Sequence, residues 1–97
     1  MRENLINSEI QKIVELYKNQ NFKKALVEAN LTKSKFQQLE NSNFYLNLVG
    51  LINLGLKDWE NSIIFFNKAI KSNSKVLDPY FNLGIAYYDM GELMESL

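Results

Sequence analysis

Cysteine and histidine are both absent from the 97-residue chain. No disulfide staples the fold, and thiolate or imidazole metal sites are excluded. Nucleophilic catalysis by a Cys–His or Ser–His pair is excluded on the same ground. Proline occurs once, at Pro79, and glycine only at positions 50, 55, 84 and 91, so long uninterrupted segments are free to be helical. Long apolar runs are missing too. The greasiest stretch, FYLNLVGLINLGL over residues 44–56, is broken by Asn47 and Asn53 and is shorter than the ~18 apolar residues of a membrane span. The first ten residues, MRENLINSEI, carry charges of both signs and no apolar segment of a secretory signal. A soluble, cytoplasmic protein is expected.

Net charge is also absent, since eleven basic residues balance eleven acidic ones. The balance is uneven along the chain: residues 76–97 hold Asp78, Asp89, Glu92 and Glu95 and no cation. No basic face suited to phosphate neutralisation stands out, so nucleic acid is not an expected partner. Hydrophobic residues make up 46% of the chain, enough for one core, and one domain over 1–97 is expected. Glu92 and Glu95 lie three apart on one helix face, but no cation or pocket former accompanies them, and acids in a first helical turn oppose the dipole in any helix. Gly84-x6-Gly91 has neither the Lys-Ser/Thr nor the preceding strand of a phosphate loop. No catalytic residue, metal site or cofactor is expected.

What the chain does contain is helical periodicity. Ile6, Ile10, Ile13 and Tyr17 form one stripe at steps of three and four, and Trp59, Ile63, Phe66 and Ile70 form another. An all-α fold follows. Ser8 with Gln11 has the spacing of a capping box, with Asn4 an alternative start one turn earlier. KNQN at 18–21 ends the first helix and Phe22 opens the second. The segment 33–43 is expected to hold the end of the second helix and a loop. Helix three runs from about Asn43 to Leu54 and is closed by Gly55. Asp58 caps a fourth helix that runs to about Ser72, and Asp78–Pro79 is a cap with proline at the first helical position. Gly91 is expected to end that fifth helix and begin a sixth.

Shifting the chain on itself by 34 residues pairs Leu46 with Tyr80, Val49 with Leu83, Gly50 with Gly84, Ser62 with Ser96 and Ile63 with Leu97. The period and the run YFNLGIAYYDMGELMESL resemble the tetratricopeptide repeat, a helix–turn–helix unit. The last unit supplies Tyr80, Leu83, Gly84, Tyr87, Gly91 and Ser96, and the middle one Leu46, Val49, Gly50, Trp59, Ser62, Phe66 and Ala69. The middle unit has its turn glycine displaced to Gly55, with Lys57 in the expected place, and Ser74 stands for the closing proline. A weaker first unit lies in residues 10–32, spaced nearer 37 residues from the next, with Ile13 where the packing glycine belongs. The resemblance implies a right-handed superhelical stack of antiparallel hairpins: one at about 4–40, one at about 43–75, and an incomplete third at about 77–97.

The resemblance also implies a function, a non-catalytic protein-interaction module that takes a peptide or helix in a concave groove lined by the first helix of each hairpin. Carried over by position, the groove residues are Asn47, Leu51, Leu54, Phe81, Asn82, Ile85, Tyr88 and Asp89, and the groove would also present Phe44, Leu48 and Asp78. Family members that clamp a C-terminal carboxylate carry Lys, Arg and Asn there; only Asn82 fits, so the expected partner is an apolar or amphipathic protein segment. The same residues equally suit packing on a neighbouring repeat, a capping helix or a second copy. Two alternatives stay open: the leading repeats of a larger bacterial enzyme similar to glycosyltransferases or sulfotransferases, and a self-associating scaffold joined through the C-terminal repeat.

Overall fold

A computed structural model describes residues 2–96, the side chains of Leu93 and Ser96 excepted. Five α-helices follow one another: α1 Arg2–Lys18, α2 Phe22–Lys35, α3 Asn43–Gly55, α4 Trp59–Ser72 and α5 Asp78–Ser96, with a 3-10 turn at Gln37–Asn41 between α2 and α3. There is no strand among the described residues. The body measures 49 × 29 × 18 Å. Its thinnest dimension is that of two helices laid side by side, each roughly 10 Å across.

Several ends fall where local chemistry puts them. Ser42 caps α3 by accepting from the Tyr45 N–H at 3.2 Å, and Asp58 caps α4 by accepting from the Asn61 N–H at 3.2 Å. Others differ from expectation. α1 begins at Arg2, which places Ser8 inside the helix and leaves no capping box there. α5 begins one residue early, because the Leu77 carbonyl accepts from the Phe81 N–H at 3.2 Å; Leu77 is therefore the cap and Pro79 the second helical residue. Gly91 ends nothing, since α5 continues through it to Ser96. The pairing of the Ser62 and Ser96 side chains, and of Ile63 with Leu97, lies outside the described residues.

Adjacent helices pack as antiparallel hairpins, α1 on α2 and α3 on α4, with α5 laid against α4. Ile13, Ala25, Ala29, Leu39, Tyr45, Leu48, Val49 and Ile52 form the core of the first hairpin and its junction with α3. In the second hairpin Phe66 is fully buried against Gly50, whose missing side chain leaves the room that the ring occupies. Gly55 serves α2 instead: a Cβ there would lie 2.6 Å from the Phe22 ring. The left-handed turn residue is Lys57, at φ 63°, and its counterpart in the first hairpin, 37 residues earlier, is Gln20 at φ 61°. Ser62 and Ala69 are fully buried as the small residues of α4, the Ser62 hydroxyl donating to the Trp59 carbonyl at 2.8 Å.

Candidate functional site

Curvature decides which face forms a groove. α3 touches both α1 and α5, whereas α2 and α4 do not touch each other. The odd-numbered helices thus crowd together and the even-numbered ones splay, which puts α1, α3 and α5 on the inner side. The gap between α2 and α4 is lined by Lys33, Glu40, Tyr45, Phe65 and Lys68.

On that inner side the expected residues take three conditions. Leu51, Leu54, Ile85 and Asp89 are half-buried along the α3–α5 line. Phe81 and Tyr88 stand out into solvent at 72% and 67% exposure. Asn47 and Asn82 meet across the two helices, the Asn82 amide Nδ2 donating to Asn47 Oδ1 at 3.0 Å. That bond ties α5 to α3, and it uses only part of either amide's hydrogen-bonding capacity. Leu48 does not belong to the groove. It is buried at 5% exposure in the core beneath α3, which the helical period explains, since its direction is that of Tyr45 and Ile52. Asp78 is exposed at the start of α5, and Phe44 is exposed at the start of α3.

α1 extends the face. A shift of 37 residues takes Asn47 to Ile10, Leu51 to Val14 and Leu54 to Tyr17, all three half-buried. Ile6, Ile10, Leu39 and Phe44 line a cleft between α1 and α3, edged by Asn7, Gln11 and Ser42. These positions were within reach of the sequence, because the 37-residue spacing that identifies the first unit also names them. Rows therefore run across the three helices: Ile10, Asn47 and Phe81; Val14, Leu51 and Ile85; Tyr17, Leu54 and Tyr88. The two outer rows end in exposed aromatics on α5, whereas the middle row stays half-buried throughout.

The architecture is thus a run of helical hairpins at repeat spacing, with glycine–aromatic packing inside one and an apolar inner face. Over 75 residues, 77% of its length, the chain is 41% identical to TPR repeat-containing protein MJ1428 of Methanocaldococcus jannaschii. It belongs to the tetratricopeptide-repeat family. The chain spans 12% of that relative's length. No family model and no solved structure matches this tetratricopeptide-repeat chain. Among the described residues no helix is long and apolar enough to cross a membrane.

Proposed function

We propose that the chain is a non-catalytic, cytoplasmic protein-interaction module whose inner face holds an apolar or amphipathic peptide or helix of another protein. The observation that carries this reading is the unequal exposure along the rows. Half-buried Leu51, Leu54 and Ile85 make a floor, and exposed Phe81 and Tyr88 rise beside it as aromatic anchors. Aromatic side chains flanking a greasy floor are the usual seat of an amphipathic helix or an extended apolar segment. Asn47 and Asn82, beside the floor, supply spare amide groups for the partner's backbone. No lysine or arginine lies on α3 or α5, so that part of the face offers no counter-ion for a carboxylate terminus or a phosphate.

The test is selection of binding segments from a displayed peptide library with the unaltered chain, followed by measurement of the same peptides against a Phe81→Ala/Tyr88→Ala variant. Both side chains are exposed, so the variant keeps its helical circular dichroism. Affinity is expected to fall by at least tenfold, the loss of two aromatic anchors at about 1–2 kcal/mol each. Selected peptides that bind the variant undiminished refute the assignment of the face.

A further inference from the structure

A second surface lies on α5 beside the inner face, and its residues repeat at steps of three and four. Leu77, Tyr80, Gly84, Tyr87, Gly91 and Met94 form one stripe with the seven-residue rhythm of a helix–helix seam. The four side chains are 76%, 44%, 51% and 68% exposed, and a Cβ placed on Gly84 or Gly91 meets nothing within 4 Å. The repeat shows what such a stripe does when it is covered. Thirty-four residues earlier, Leu46 and Asn53 stand where Tyr80 and Tyr87 stand, and they are 4% and 3% exposed because α4 lies antiparallel over them. Phe66 of α4 fills the hollow at Gly50 that corresponds to the empty one at Gly84. The stripe on α5 therefore has the form of a seat for one antiparallel helix with large side chains set to enter glycine hollows.

We propose that this helix is α5 of a second copy of the chain, the two pairing about a two-fold axis. The stripe carries its own complement. When Gly84 faces Tyr87 of the partner subunit in an antiparallel pair, the same register sets Tyr80 against Gly91 of the partner subunit. It also sets Leu77 against Met94 of the partner subunit. Every hollow then receives a tyrosine and every tyrosine a hollow, and the two-fold repeats each contact, as an isologous interface requires. A parallel pair aligned residue for residue has no such match, since glycines would face glycines and tyrosines would collide. α5 has no basic residue, and the cation nearest its start, exposed Lys75, comes near the acidic end of the partner subunit's α5. The four large side chains of the stripe leave roughly 500 Å² of each chain in water, on the scale of 150–250 Å² for a large side chain. With its flanks the seam approaches the roughly 600 Å² per partner of a weak interface, so the dimer forms reversibly at micromolar to millimolar concentration.

The experiment is multi-angle light scattering and sedimentation velocity on the full 97-residue chain from micromolar to millimolar concentration, beside a Gly84→Leu variant. The unaltered chain is expected to move from the mass of one chain to that of two. In Gly84→Leu the new side chain meets open space in the single chain, so helical signal and thermal midpoint hold or rise. It fills the hollow that Tyr87 of the partner subunit needs, so the mass stays that of one chain throughout. An unaltered chain that is monomeric at millimolar concentration, or one that grows past two copies, overturns the proposal. So does a Gly84→Leu variant that dimerises as before. Gly84 lies outside the inner-face floor, so the Gly84→Leu outcome bears on the dimer and leaves the inner-face reading to its own peptide test.

Discussion

At the scale of single residues, one repeat position acts in three ways. Gly50 admits the Phe66 ring, and a Cβ at Gly50 would lie inside it. In the first hairpin the equivalent positions are Ile13 and Ala29, both buried, with the large residue on the first helix and the small one on the second. The same volume is filled from opposite sides, which is why a first unit without its glycine still packs. At Gly84 nothing approaches. Alanine should therefore have opposite effects at two glycines that the repeat makes equivalent. Gly50→Ala forces the buried ring or the α3 backbone to move and should destabilise by about 1–3 kcal/mol. Gly84→Ala removes the conformational cost of an exposed mid-helix glycine and should stabilise by about 0.5–1 kcal/mol. Urea unfolding of both variants, at dilutions where the chain is single, tests this; a common sign shows that the two sites are not distinguished by what covers them.

At the scale of elements, the α3–α4 turn and the continuous α5 show what stops a helix in this chain. After Gly55 the backbone turns through Lys57 in the left-handed region, and Asp58 then caps α4 with its side chain. Both conditions are met within two residues. Thirty-four residues on, Gly91 offers the left-handed freedom, but Glu92 stands where Asp58 stood. Glutamate favours helix interiors and caps poorly, so the helix runs on, at the cost of about 1 kcal/mol for an interior glycine. Lys57 carries the reverse penalty, because a side chain in the left-handed region is strained by roughly 1–2 kcal/mol. Lys57→Gly should recover about 1 kcal/mol, seen as a higher urea midpoint with an unchanged slope. A lower midpoint would mean that the Lys57 side chain has a stabilising contact worth more than the strain. The same logic marks what was legible in advance. The α4 boundary set by the Asp58 cap and the seam set by Gly50 and Phe66 follow from residue type and spacing. The 3-10 turn at Gln37–Asn41 does not, since its anchor, Leu39, is buried by contacts with the hairpin core that no local pattern announces. On the inner face, the α3 and α5 positions are what the family resemblance implies. The pairing of Asn47 with Asn82 was not legible, because it depends on how far α5 leans toward α3.

At the scale of the whole molecule, the first hairpin is held to the rest by α3, and one polar contact in that junction is buried. The Tyr45 hydroxyl donates to the Ala29 carbonyl at 2.7 Å, joining α3 to α2 across the core. Burial disfavours the phenolate, and the Tyr45 hydroxyl is pushed up from 10.0 to about 12. In the unfolded chain the same group ionises near its ordinary value. The stability that Tyr45 contributes is therefore complete below pH about 10 and is lost as the pH climbs toward 12, by up to about 1.4 kcal/mol per pH unit. Tyr45→Phe keeps the ring in the core and removes the hydroxyl. It should cost about 1 kcal/mol at neutral pH, the net worth of one such bond. Above pH 10 the variant has no phenol to ionise, so the gap between the two proteins should close and then reverse before pH 12. Lysine deprotonation acts on both proteins alike and cancels in the difference. Parallel curves from pH 8 to 12, in denaturant titrations of the two proteins, would show that the hydroxyl reaches water in the native state and that the junction between the hairpins is looser than its buried bond implies.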